Sequence, residues 1–104
     1  GKEYFLEIIN KDEILFGLLR LRLTKNQAMI REVHVYGQAL NLNEKANQSQ
    51  HRGMGKQLIK EAEEIAKKKG HKKLKIISGV GVREYYKKLG YNLDKDKVYM
   101  EKKL

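Results

Sequence analysis

The sequence predicts a mixed α/β domain with the element order β-β-β-α-β-α-β-β, and three observations predict it. Apolar runs with period-two alternation fill the chain from Tyr4 to Tyr36. A long stretch beginning near Gly53 instead repeats its apolar residues at helical spacing, at Met54, Leu58, Ala62, Ile65 and Ala66. Beyond it, Gly70, Gly79, Gly81 and Gly90 divide the remainder into short strands and a second helix. Strands and helices in this order make a layered α/β fold.

Each element has its own signal. Tyr4 to Ile9 and Ile14 to Leu23 are β-capable runs separated by the polar turn Asn10-Lys11-Asp12-Glu13, which predicts an antiparallel hairpin. In the second run Leu19, Leu21 and Leu23 alternate with Arg20 and Arg22, giving it one basic face. The third strand, Met29 to Tyr36, alternates too, with Arg31, Val33 and Val35 set against Ile30, Glu32, His34 and Tyr36. Gly37 to Ser49 is polar and contains three asparagines, and a connection of that length is often functional. The first helix is expected from about Gly53 to Lys69, with Gly70 as its C-cap. Lys73 to Ser78 reads as a strand, and Gly79-Val80-Gly81 breaks into a helix from Val82 to Leu89 that Gly90 ends. Tyr91 to Leu93 and Val98 to Lys102 close the chain as β segments around Asp94-Lys95-Asp96-Lys97.

Composition narrows the class. The 104 residues make one domain, and 40% hydrophobic residues suffice for a modest core. No stretch approaches the roughly 18–20 apolar residues of a membrane span, so no membrane association is expected, and no signal-peptide pattern opens the chain. There is no cysteine, which excludes disulfides, thiolate metal sites and a cysteine nucleophile within this segment. A cytoplasmic location is expected. The chain begins with Gly rather than Met, as expected of a fragment of a larger protein. The net charge of +10 suggests an anionic partner, nucleic acid or a phosphorylated cofactor. A solvated Lys/Glu-rich surface accounts for the same charge equally well.

Between the last early strand and the helix lies Gln50-His51-Arg52-Gly53-Met54-Gly55, a Q-x-x-G-x-G run. A glycine-bearing loop opening a helix presents backbone N–H groups to one point at the positive end of the helix dipole, which suits a phosphate or pyrophosphate. A Cβ at either glycine would hold such a ligand away. The plainer reading is an ordinary helix N-terminus with glycines for tight packing. No Gly-Lys-Ser/Thr closes the run, so it is not a P-loop, and the first glycine of the Rossmann fingerprint is missing. Pyrophosphate held by amides without a metal-binding hydroxyl suits coenzyme A better than a nucleoside triphosphate.

Further along stands Tyr85-Tyr86-Lys87-Lys88-Leu89-Gly90-Tyr91. It resembles the F-Y-x-K-x-G-F/Y signature of the GNAT N-acetyltransferase superfamily, as Gln50–Gly55 resembles that superfamily's Q/R-x-x-G-x-G/A motif. The resemblance implies a GNAT mixed sheet with flanking helices, here N-terminally truncated because the strand and helices that usually open the fold are short or absent. It also implies that the loop amides hold the coenzyme A pyrophosphate. Tyr86 would stand by the thioester sulfur, where a phenol can protonate the departing thiolate; the alternative is that both tyrosines pack the helix onto the sheet.

Three longer runs, Ile30-Arg31-Glu32-Val33-His34-Val35-Tyr36-Gly37, Gln50–Gly55 and Ile77-Ser78-Gly79-Val80-Gly81-Val82-Arg83-Glu84-Tyr85-Tyr86, are together similar to the acetyltransferase domain of the Elongator catalytic subunit. That resemblance implies an acetyl-CoA-dependent acetyltransferase domain serving carboxymethyl-type modification of the tRNA wobble uridine. Its partners would be acetyl-CoA, tRNA and an N-terminal radical S-adenosylmethionine domain of the same protein. That domain carries an iron–sulfur cluster and S-adenosylmethionine, neither bound by this segment. On the matching positions, Glu32, Val33, His34 and Val35 would line the acetyl and pantetheine groups. Gln50, His51, Arg52, Gly53, Met54, Gly55 and Lys56 would meet the pyrophosphate, with Tyr86 catalytic. Alternatives are a protein lysine (histone) acetyltransferase and a non-catalytic RNA-binding module on the same fold. Glu32 and His34, two apart on a strand, are also candidates for a general base, although such a pair is more often structural. His51 and His71 have no partner at metal-ligand spacing, and no metal site is expected. Lys67, Lys68, Lys69, His71, Lys72 and Lys73 form a basic cluster. With Arg20 and Arg22, these are candidates for RNA phosphate contacts, or simply complements to a helix dipole.

Overall fold

Successive side chains of a strand point to opposite faces, so the leucine row of the second strand can be buried only if something covers one side of the sheet. A long helix does so. In a computed structural model, residues 1–9, 15–35, 44–77 and 82–104 are described, the side chains of 15–16 and 44–52 excepted. The turn expected at 10–13, most of the polar connection and the Gly79–Gly81 break lie outside these residues. The described elements follow the expected order: β1 (Lys2–Ile9), β2 (Leu15–Leu23), β3 (Ala28–Val35), α1 (Glu44–Lys68), β4 (Lys73–Ile77), α2 (Arg83–Lys88), β5 (Asn92–Leu93) and β6 (Tyr99–Lys103). The strands form one sheet in the order β1-β2-β3-β4-β6-β5. Every pairing is antiparallel except that of β3 with β4.

Leu19 and Leu21 are fully buried on one face of β2, with Leu23 beside them. Ile30 of β3, Leu74 and Ile76 of β4 and Met100 of β6 complete the row, and Leu58, Ile59, Ala62 and Ala66 of α1 cover it. The helix approaches closely because residue 17 is glycine: a Cβ there would stand 3.1 Å from Leu58 Cδ1. α1 stops at a Schellman turn, in which Gly70 N–H donates to Lys67 O and His71 N–H to Ala66 O, both at 3.0 Å. That turn needs a left-handed residue, and Gly70 supplies it at φ +94°. The opposite face of the sheet is laced with cross-strand ion pairs: Arg22–Glu3 (3.5 Å), Arg20–Glu32 (3.5 Å) and Lys73–Glu101 (3.7 Å). Exposed pairs of this kind contribute about 0–1 kcal/mol each, so burial on the α1 side dominates the stability.

Two expectations are corrected. The strict alternation expected along Met29–Tyr36 puts Ile30 with Glu32 and His34. Instead the β2–β3 register shifts: Leu21 opposes Ile30 while Arg20 opposes Glu32, leaving Arg31 as the extra residue of a β-bulge. Ile30 therefore faces the core, 1% exposed, on the same side as Val33. The second correction concerns α1, which begins at Glu44 rather than at about Gly53. Glu44 to Arg52 contains no proline and is rich in Glu, Lys, Gln, Ala and Arg, which favour helix. A helical glycine costs only about 1 kcal/mol, too little to force a boundary at Gly53.

The β5–β6 hairpin turns on Asp94. Its Oδ1 accepts the N–H groups of Val98 (3.2 Å) and Tyr99 (3.4 Å), and Lys97 in the left-handed region (φ 58°) completes the turn. Burial alone would push the Asp94 carboxyl up. The Val98, Tyr99 and Lys97 amides, with Lys75 3.8 Å away, more than offset this and hold it below the usual carboxylate range. A carboxyl depressed in the folded state stabilises above its unfolded pKa of about 3.9 and loses that contribution as pH falls through the lower folded value. Asp94→Ala is therefore expected to melt below the native chain at pH 7, with the gap closing as pH drops below about 4. Thermal melts at pH 7, 5 and 3 check this.

Candidate active site

β3 and β4 run parallel and pair at Met29↔Lys75 and Ile30↔Ile76. β3 then continues through Arg31 to Val35, beyond the last of these pairs. Among the described residues, that stretch of backbone has no sheet partner on the β4 side. The bulge at Arg31 sits where the pairing ends, and bulges bend the strand that carries them. This is a strand edge that an extended ligand can join through main-chain hydrogen bonds.

α1 and α2 meet this edge. A Cβ built on Gly55 would lie 2.9 Å from the Tyr85 hydroxyl and 3.7 Å from Val35 Cγ2. The absent side chain thus gives the Tyr85 phenol its place, and Val35, Gly55 and Tyr85 bring three elements to one point. Gly55 is buried and Met54 half-buried, while Gly53 and Lys56 are exposed. Gln50, His51 and Arg52 lie on α1, but their side chains fall outside the described residues. The Gln50–Gly55 run is therefore not the helix-opening loop that the sequence suggested. It occupies the interior of α1, where main-chain N–H groups are engaged in i→i−4 bonds.

The two tyrosines sit differently, because neighbours on a helix point about 100° apart. Tyr86 is 9% exposed and belongs to the core cluster; Tyr85 is half-buried beside it, the rings edge-on at 5.4 Å. Burial pushes both phenols above their ordinary value, for Tyr86 with a further contribution from Tyr85. Both therefore keep their protons through neutral pH. The sequence offered packing as the alternative for both tyrosines; the Tyr85 hydroxyl reaches Gly55, and only the register of α2 against α1 reveals that.

Glu32 and His34 share the face away from α1. His34 Nε2 lies 2.8 Å from Glu32 Oε1, and Glu32 Oε2 is 3.5 Å from Arg20 Nε. The carboxylate is thus bracketed by two basic groups across β2 and β3. Val33 packs toward the core. Among the described residues, no three of His, Cys, Asp and Glu converge as a metal-ion site. No described helix is long and apolar enough to cross a membrane.

The family model for an acetyltransferase (GNAT) domain matches residues 1–102. The chain belongs to the GNAT acetyltransferase family. Within it, the chain is 45% identical over 107 residues to the tRNA uridine(34) acetyltransferase of Dehalococcoides mccartyi, covering 89% of this chain and 23% of that protein. It is 45% identical over 108 residues to Elongator complex protein 3 of Schizosaccharomyces pombe, covering 90% of this chain and 20% of that one. The solved structure of the archaeal Methanocaldococcus infernus Elp3 superposes with a TM-score of 0.77 at 38% identity, covering 98% of this chain and 26% of that chain. The chain thus spans about a fifth of the length of the curated relatives it matches. The resemblance to the Elongator acetyltransferase domain and the mixed α/β GNAT fold both hold.

A helical Gly53 carries a direct consequence. A Cβ there meets nothing within 4 Å, so Gly53→Ala is expected to stabilise α1 by about 0.5–1 kcal/mol. At Gly55 the same gain is offset by displacement of the Tyr85 hydroxyl. Urea melts of the two alanine variants check the difference.

Proposed function

We propose that the chain is the acetyl-CoA-binding acetyltransferase domain of a larger enzyme that modifies uridine 34, the wobble uridine of tRNA. The observation that carries this reading is the meeting at one point of Gly55, Tyr85 and the β3 edge that, among the described residues, has no partner on the β4 side. The tRNA substrate is supported by the names of the relatives and by the net charge of +10. In the whole protein the partner would be a radical S-adenosylmethionine domain with its iron–sulfur cluster. This chain has no cysteine and would contribute no thiolate to such a cluster.

Each residue then has a task. Main-chain groups of Glu32, Val33, His34 and Val35 pair with the amides of the pantetheine arm, as an added strand would. The segment Gln50–Lys56 holds the pyrophosphate. For the Gly53–Gly55 amides to contribute, they must leave their helical bonds, so α1 starts at Gly53 in the bound chain. The preceding stretch from Glu44 to Arg52 has Ala46 as its one apolar residue, so little burial opposes that change. Tyr86 protonates the departing thiolate and, with its pKa raised, stays a proton donor through neutral pH.

Calorimetric titration with acetyl-CoA is expected to give saturable binding in the native chain, with a loss of helical circular dichroism. Gly55→Trp should abolish binding by filling the space shared with Tyr85 and Val35; unchanged affinity would remove the site. Tyr86→Phe is expected to keep the affinity while thiol release slows about 100-fold, the scale of general acid catalysis. An undiminished rate would reduce Tyr86 to packing.

A further inference from the structure

α2 has six residues, and its N-cap, Val82, makes no side-chain cap bond. A helix this short is not stable by itself, so its placement comes from what grips it. Core burial of Tyr86 supplies part of that grip, and a second part lies just beyond the C-terminus of α2. Tyr91 N–H donates to Tyr86 O at 3.0 Å, as does Leu89 N–H, around Gly90 at φ +98°. The Tyr91 ring stands edge-on to the Tyr86 ring, with centroids 6.3 Å apart. Tyr91 is fully buried, yet its hydroxyl donates to Glu63 Oε2 at 2.7 Å. Glu63, on α1, also accepts from Lys102 Nζ at 3.2 Å on both oxygens, and that ammonium lies 5.7 Å from the centre of the Tyr91 ring. Gly90 leaves room for this lysine, since a Cβ would stand 3.3 Å from Lys102 Cε.

Packing alone does not call for this arrangement. A phenylalanine at position 91 would fill the same volume without a hydroxyl that needs a partner once buried. The tyrosine, glutamate and lysine instead form a charge-assisted cluster linking α1, the corner after α2 and β6. Such bonds are directional, and the ring and main-chain contacts of Tyr91 connect the cluster to Tyr86.

We propose that Glu63, acting through the Tyr91 hydroxyl and held by Lys102, is a positioning residue for Tyr86. The catalytic half of this inference rests on the placement of Tyr86 at the thioester; the structural half does not. The test uses the full chain with tyrosine Cζ labelled by ¹³C and follows Tyr91→Phe and Glu63→Gln. Tyr91→Phe removes one oxygen from a ring that stays packed, so it decides the question if Glu63→Gln fails to fold.

The expected result in Tyr91→Phe is a shifted or broadened Tyr86 resonance with unchanged acetyl-CoA affinity. A misplacement of about 1 Å can cost roughly 100-fold in rate, and a ring loosened inside a packed core is expected to lose about ten-fold in thiol release. A native Tyr86 resonance in the folded variant overturns the proposal, and so does a full rate. A native chain that releases no thiol from acetyl-CoA would overturn the assignment of Tyr86 to the thioester. The Tyr86 resonance would still decide whether Glu63 positions it.

Discussion

The parallel contact between β3 and β4 is the constraint on which the rest of the molecule depends. Two residue pairs join these strands, Met29↔Lys75 and Ile30↔Ile76, before β3 runs on past the bulge at Arg31, still paired with β2 but, among the described residues, without a partner on the β4 side. Below that point the sheet is continuous, and its leucine-rich face is sealed by α1. Above it, the β4-side edge of Arg31 to Val35 has no sheet partner among the described residues. A strand edge of this kind, lying beside Gly55 and Tyr85, is suited to an extended ligand rich in amides.

Much of this was legible in the sequence because it rests on local periodicity. The leucine row at 19, 21 and 23 marks the core face of β2, and the helical spacing of Leu58, Ala62 and Ala66 marks the helix that covers it. Gly70 and Gly90 announce left-handed caps, since other residues adopt that conformation at a cost. The bulge was only hinted at: Ile30 and Arg31 break the alternation that Val33 and Val35 set, but where the register shifts depends on how β3 pairs with β2. The start of α1 was not legible: two glycines read as a loop there, although their helical cost is small beside the favourable residues before them. The pairing of Gly55 with Tyr85 was hidden for a third reason, since it joins two helices far apart in sequence.

Charge divides by face. The sheet surface away from α1 matches most of its cations to carboxylates across neighbouring strands, as in Arg22–Glu3 and Lys73–Glu101. Lys67 and Lys68 lie in the last turn of α1, where they complement the helix dipole. With His71, Lys72 and Lys73 they place a concentration of positive charge by the start of β4. The end of the β3–β4 pairing lies at the other end of that strand, so the geometry separates the β3 edge from this basic stretch.

Mapping of backbone amide resonances during an acetyl-CoA titration tests the central claim most directly. Shifts are expected to concentrate at Arg31–Val35, Gly53–Lys56 and Tyr85–Tyr86, while Lys67–Lys75 stay near their free positions. Shifts confined to Lys67–Lys75, or none at saturating ligand, would contradict that claim.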